Sequence, residues 1–128
     1  MNKTRKMKLL VMDDDTEFAA TLAERLRLHQ IEAESVHSGE EVMDTVSGFA
    51  PDVIILDMSG INLLAKIKTF DPTIEVILLT GHVSIDAGIT GMELGAFDYI
   101  TKPVDLTELI KKSTEAYDNR QNTISRPD

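Results

Sequence analysis

In the stretch LLVMDDDTEF, residues 9–18, four apolar residues run directly into Asp13, Asp14 and Asp15. A short apolar run of this kind reads as a buried strand, so the chain leaves its interior by placing three like charges side by side. Two carboxylates about 4 Å apart repel by roughly 1 kcal/mol in water and about 4 kcal/mol at an effective dielectric constant of 20. A sequence carries that cost where a cation is expected to offset it. Just beyond, Phe18, Leu22 and Leu26 recur at helical spacing, and Asp15 stands where a helix N-cap is wanted. The stretch therefore reads as strand, acidic turn, helix.

The same unit repeats along the chain. Strands are predicted at Lys8 to Met12, Glu34 to Val36, Val53 to Leu56, Glu75 to Leu79 and Phe97 to Ile100. Between and after them lie amphipathic segments carried by Phe18, Leu22 and Leu26; Val42, Met43 and Val46; Leu63, Leu64 and Ile67; Ile85, Ile89 and Met92; and Leu106, Leu109 and Ile110. Strands alternating with helices imply an α/β fold, a parallel sheet wound doubly so that helices cover both faces. Ser38 with Glu41 and Asp105 with Glu108 have capping-box spacing, and Ser84 can cap the fourth helix. Residues 8–118 make one domain after an N-terminal extension, 1–7, and 119–128 lose periodicity as a frayed tail or the start of a linker.

Composition narrows the function. Asp and Glu number 22 against 13 Lys and Arg, a net charge of -9 that would repel a phosphate backbone, so direct nucleic-acid binding is not expected. Aromatic content is 5% with no Trp, too little for a stacking platform. The absence of Cys removes disulfides, thiolate metal sites and a Cys nucleophile. No apolar run approaches the roughly 20 residues needed to cross a bilayer, so the expected location is cytoplasmic, away from membranes.

In an open α/β sheet, ligands bind beyond the carboxyl ends of the strands. Those ends carry Asp13 and Asp14 after the first strand, Asp57 after the third, Thr80 after the fourth, and Lys102 with Pro103 after the fifth. Carboxylates gathered at one edge suit a hard divalent cation, and Mg2+ takes few protein oxygens and keeps waters that a phosphate can replace. A carboxylate beside such a metal can act as a nucleophile toward phosphorus. Lys102 could then neutralise phosphoryl oxygens and Thr80 donate a hydroxyl hydrogen bond.

Taken together, VMDDD, VIILD, LLTG and GAFDYITKP, with the intervals among them, resemble the receiver domains of two-component response regulators over about Lys8 to Tyr117. The resemblance implies a CheY-like, flavodoxin-like (βα)5 fold with strand order 2-1-3-4-5. It implies that Asp57 is the phosphoacceptor, that Asp13 and Asp14 join it in holding Mg2+ (or Mn2+), that Thr80 is the switch hydroxyl and that Lys102 pairs with the phosphate. It further implies a rotameric switch role for Tyr99 and a cis peptide between Lys102 and Pro103. Such a domain takes its phosphoryl group from a sensor histidine kinase or a phosphotransfer protein and catalyses only its own phosphorylation and dephosphorylation. The face bearing Ile85, Ile89 and Met92 could serve phosphorylation-dependent homodimerisation. GAFDYITKP is worded like receivers attached to transcriptional activators. His82 lies near the site and reads as a surface-loop residue, and Gly81 as either a simple turn or room for the phosphoryl group.

One departure stands out. Receivers normally carry a loop of the type Asp-x-x-Met-Pro-Gly-Met-x-Gly, whereas here Asp57 is followed by Met58, Ser59, Gly60 and then a helical pattern. Restoring five residues between Met58 and Ser59 would make the intervals from Asp57 to Thr80 (23) and to Lys102 (45) family-like. The favoured expectation is a mobile loop of that length passed over by the sequence as written. The alternative is a true deletion, which removes the backbone carbonyl two residues after Asp57 that completes the family's Mg2+ site and so suggests a phosphorylation-incompetent interaction domain. A haloacid-dehalogenase-type phosphatase also uses an aspartyl nucleophile and Mg2+, but it wants Asp-x-Asp-x-Thr or Val, and Glu17 breaks that pattern after Asp13 and Asp15.

Overall fold

The computed structural model describes residues 6–81 and 90–125. Among them are β1 (Lys8–Met12), α1 (Thr16–Arg27), β2 (Glu32–Val36), α2 (Gly39–Phe49), β3 (Val53–Asp57), a 3-10 helix (Met58–Leu63), α3 (Leu64–Phe70), β4 (Glu75–Thr80), β5 (Asp98–Thr101) and α4 (Leu106–Ile124). The strands form one parallel sheet in the order β2-β1-β3-β4-β5, the doubly wound flavodoxin-like topology. Ser84, Ile85, Ile89 and His82 lie outside the described residues, and of the predicted fourth helix only 90–93 is described, as helical.

Strand alternation sorts the core into two layers. Leu9, Val11, Val53, Ile55, Ile77, Leu79 and Ile100 face α1 and α4, where they meet Leu22, Leu26, Leu109 and Ala116. Their neighbours Leu10, Met12, Ile54, Leu56, Val76 and Leu78 face α2 and α3, against Val42, Val46, Leu64 and Ile67. Central β3 is buried along its whole length, as expected of a parallel strand covered on both sides. Helix entries follow the predicted caps: Asp15 accepts from Phe18 N–H, Ser38 from Glu41 N–H and Asp105 from Glu108 N–H. Glu41 reaches back to the N–H of His37 rather than to that of the cap residue.

Two expectations are corrected. The segment from residue 119 is not frayed, because α4 runs on to Ile124. Asn119 donates to Glu75, and Arg120 donates to Asp52 at 2.7 Å and to Asp71 at 3.3 Å, fastening this end of the helix across the N-terminal edge of the sheet. The expected loop between Met58 and Ser59 is also absent. The full sequence passes from Met58 straight to Ser59, and the chain turns from β3 directly into the 3-10 helix. Tight i→i+3 bonding makes so short a connection feasible. Gly60 permits it sterically, since an added Cβ would come within 3.1 Å of both Leu56 Cδ1 and Met12 Sδ. Smaller shifts occur at strand ends: β2 begins at Glu32 rather than Glu34, and β5 spans Asp98–Thr101 rather than residues 97–100.

Candidate functional site

The carboxyl edge of the sheet brings together Asp13, Asp57, Thr80 and Lys102. Asp13 follows β1 and is fully buried, Asp57 closes β3 at 9% exposure, and Thr80 closes β4 at 6%. The backbone N–H of Lys102 donates to the carbonyl of Thr80 at 2.8 Å, which ties the β5 exit to the β4 end. The Lys102–Pro103 peptide is cis, as expected. From there the Lys102 side chain crosses the edge, and its Nζ donates to Asp13 Oδ2 at 2.7 Å and to Asp57 Oδ1 at 2.9 Å.

This bridging ammonium resolves part of the electrostatic problem posed by the acid triplet. Asp15 points away to cap α1, while its backbone N–H donates to Asp13 Oδ1 at 2.9 Å. Asp14 is exposed and can keep its own hydration. Burial pushes the Asp13 carboxyl above its ordinary range, with Asp57 adding to the rise, against opposing hydrogen bonds from Lys102 and from Asp15. Burial acts on Asp57 in the same direction, but hydrogen bonds from Ser59 and Lys102 outweigh it and hold that carboxyl low. The same two carboxylates keep the Lys102 ammonium above its ordinary pKa despite the burial that opposes it. The two carboxyls are thus pushed in opposite directions, and both stay paired with the Lys102 ammonium.

Asp13, Asp14 and Asp57 each offer one carboxylate oxygen within 4.8 Å of the others. Ligands of a Mg2+ ion lie about 4.2 Å apart when opposite and about 3 Å apart when adjacent, so these three carboxylates would draw together to hold the ion. The shortened connection supplies less. Ser59, two residues after Asp57, lies inside the 3-10 helix, where carbonyls run along the axis toward N–H groups three residues on. Its N–H is turned back to Asp57 Oδ2 at 3.0 Å.

Tyr99 lies on β5 at 36% exposure, directed outward, and its carbonyl accepts from Lys112 Nζ at 3.2 Å. It is not gathered into the carboxylate cluster. A Cβ added at Gly81 would meet nothing within 4 Å, so space does not require a glycine there. Sequence reasoning missed three residues at this edge. Ser59 and Gly60 were hidden by the unexpected turn, and Phe18, whose ring lies 4.8 Å from Lys102 Nζ, had been counted only as core.

Residues 9–114 match the family model described as response regulator receiver domain. The chain belongs to that family. It is 32% identical over 125 residues to the DNA-binding transcriptional regulator NtrC of Klebsiella pneumoniae, covering 91% of this chain and 27% of that protein. It is 31% identical to the transcriptional regulatory protein PrrA of Mycobacterium tuberculosis, covering 92% of this chain and 53% of that one. The chain thus spans between about a quarter and half of the length of these relatives. Among solved structures, a response regulator receiver domain protein from Clostridium thermocellum superposes with a TM-score of 0.83 at 31% identity, covering 90% of this chain and 97% of that one. A receiver domain is a signalling module of two-component systems. No helix among the described residues is long and apolar enough to cross a membrane.

Proposed function

We propose that Asp57 is the phosphoacceptor of this receiver domain and that it takes its phosphoryl group from a phosphohistidine on a sensor kinase or phosphotransfer protein. The supporting observation is Lys102, whose ammonium sits 2.9 Å from Asp57 and 2.7 Å from Asp13, where it can neutralise charge on an incoming phosphoryl group. An oxygen of ionised Asp57 attacks phosphorus, the N–P bond breaks, and its electron pair leaves with the imidazole. Asp13, Asp14 and Asp57 would hold Mg2+ or Mn2+, which when bound supplies further charge neutralisation. Thr80, which closes β4, would donate its hydroxyl to a phosphoryl oxygen. Movement of Thr80 would then be read by Tyr99 on neighbouring β5 and passed to an interaction face, with a second copy of the chain as the proposed partner.

A phosphorylation-incompetent interaction domain is the second reading. It is favoured by the direct entry of Asp57 into the 3-10 helix, which takes Ser59 into that helix and turns its N–H back onto the Asp57 carboxylate. Incubation with acetyl phosphate and Mg2+, followed by intact-mass measurement, separates the two. An added phosphoryl mass that vanishes with EDTA and in Asp57→Asn supports phosphotransfer. No added mass at any metal concentration would establish the second reading.

A further inference from the structure

Phe18 sits in the first turn of α1, three residues after the cap residue Asp15, which accepts its N–H at 3.1 Å. Side chains in a helix lean toward its N-terminus, so the capped first turn aims this ring at the carboxyl edge of the sheet. The ring is half-buried against the α1-side core. With Thr21, Leu22, Arg25, Pro103, Val104 and Leu106 it lines an open, largely apolar pocket of about 290 Å³. Its centroid lies 4.8 Å from Lys102 Nζ, inside the roughly 6 Å over which a ring face attracts an ammonium. Lys102 Nζ is thus held by two carboxylates and a π face together. The carboxylates fix its distance, and the ring occupies a side from which water would otherwise solvate it.

The geometry points to Phe18 as a positioning residue for Lys102: its ring face holds the ammonium over the gap between Asp13 and Asp57, so that positive charge is in place before a phosphoryl group arrives. Lys102 carries a long stem with many rotamers, and its side chain is 27% exposed. Without the ring, the ammonium has a free route toward solvent between bonds to the carboxylates. With it, that route costs a cation–π contact. Preorganised charge contributes to catalysis because it needs no reorganisation at the moment of transfer.

The inference rests on the Asp57 reading in one arm of its test only. The first arm is NMR of the full chain without phosphodonor. Protons above an aromatic face move upfield, so the Lys102 ε-methylene signals should lie upfield of the other lysines, move to ordinary positions in Phe18→Leu, and stay upfield in Phe18→Tyr. The second arm is the labelling rate with acetyl phosphate and Mg2+. Phe18→Leu keeps apolar bulk and should slow labelling about fivefold, the weight of one partly desolvated cation–π contact. Phe18→Tyr keeps the ring face and should restore the rate to within about twofold, which a packing role alone does not require. Phe18→Met serves as the aliphatic variant should Phe18→Leu fail to fold. Lys102 signals at ordinary positions in the wild type, or Tyr and Leu variants equally slow, would overturn the assignment. Failure of the wild type to label at all would count against the Asp57 reading and leave the NMR arm to decide the role of Phe18.

Discussion

Replacing Arg120 tests how the end of α4 is held. Its Nη1 donates to Asp52 Oδ1 at 2.7 Å, its Nη2 to Asp71 Oδ2 at 3.3 Å, and its own side chain is 14% exposed. Asp52 is fully buried at the start of β3, with its other oxygen accepting Lys8 N–H at 2.9 Å. Arg120→Met keeps most of the stem and removes the charge, leaving a buried carboxylate without its guanidinium. Breaking a buried pair in this way costs about 3–5 kcal/mol. Asp52 retains the Lys8 N–H and Arg120 is not wholly buried, so the lower end, about 3 kcal/mol, is expected. At roughly 2.1 cal/mol/K of unfolding entropy per residue, that lowers Tm by about 11 °C for a chain of this length. Urea unfolding should show a lower midpoint with an unchanged slope. Adding Asp52→Asn to Arg120→Met should recover part of the loss, since the buried charge that Arg120 offsets is gone. A loss below about 1 kcal/mol, or a double variant no more stable than the single, would refute the account of Asp52 as a buried charge that depends on Arg120.

Asp71 gives a pH dependence. Burial alone would raise its carboxyl, but hydrogen bonds from the Thr73 hydroxyl and N–H and from Arg120 outweigh it and hold the pKa below 3.8. A group depressed in the folded state stabilises above its unfolded pKa and loses that contribution as pH falls through the folded value. The stability advantage of wild type over Asp71→Asn should therefore be constant near neutrality and shrink below about pH 4; a titration midpoint at or above the unfolded value would contradict it. Two glycines make a contrast in space. A Cβ at Gly91 would run into Cδ1 of fully packed Leu78, whereas one at Gly48 in α2 would meet nothing within 4 Å. Denaturant midpoints should show Gly91→Ala destabilised by about 1–3 kcal/mol and Gly48→Ala stabilised by up to about 1, and equal midpoints would mean that Leu78 is free to swing aside.

The fold was legible because alternation is written into every unit. Short β-branched or apolar runs of three to five residues, each followed by an i, i+3, i+4 pattern, left a parallel sheet as the consistent arrangement, and the strand-end rule then brought Asp13, Asp57, Thr80 and Lys102 to one edge. The C-terminal end was misread because its anchoring is polar. Asn119 and Arg120 look like linker residues until Glu75, Asp52 and Asp71, distant in sequence, are seen beneath them. Hydrophobic periodicity carries no signal for a helix turn held by ion pairs. Phe18 was legible as core and not as a neighbour of Lys102, because 84 positions separate them and only the sheet edge brings them together.

The connection after Asp57 was misjudged for a different reason. Counting intervals suggested a five-residue shortfall, but a count does not distinguish a missing loop from a tighter turn. The tighter turn has its own physical signature in the residues present. Gly60 packs closely against Leu56 and Met12, whose side-chain ends would have to give by a few tenths of an ångström for a Cβ there, and Ser59 N–H gives Asp57 Oδ2 a partner. The consequence bears on the chemistry. Asp57 is held by Ser59 on one oxygen and by Lys102 on the other, which keeps it ionised and well oriented. The same two bonds are what an incoming cation or phosphoryl group must share or displace. The direct turn thus holds Asp57 from both sides, and the charge compensation at this edge comes from Lys102, which also pairs with Asp13.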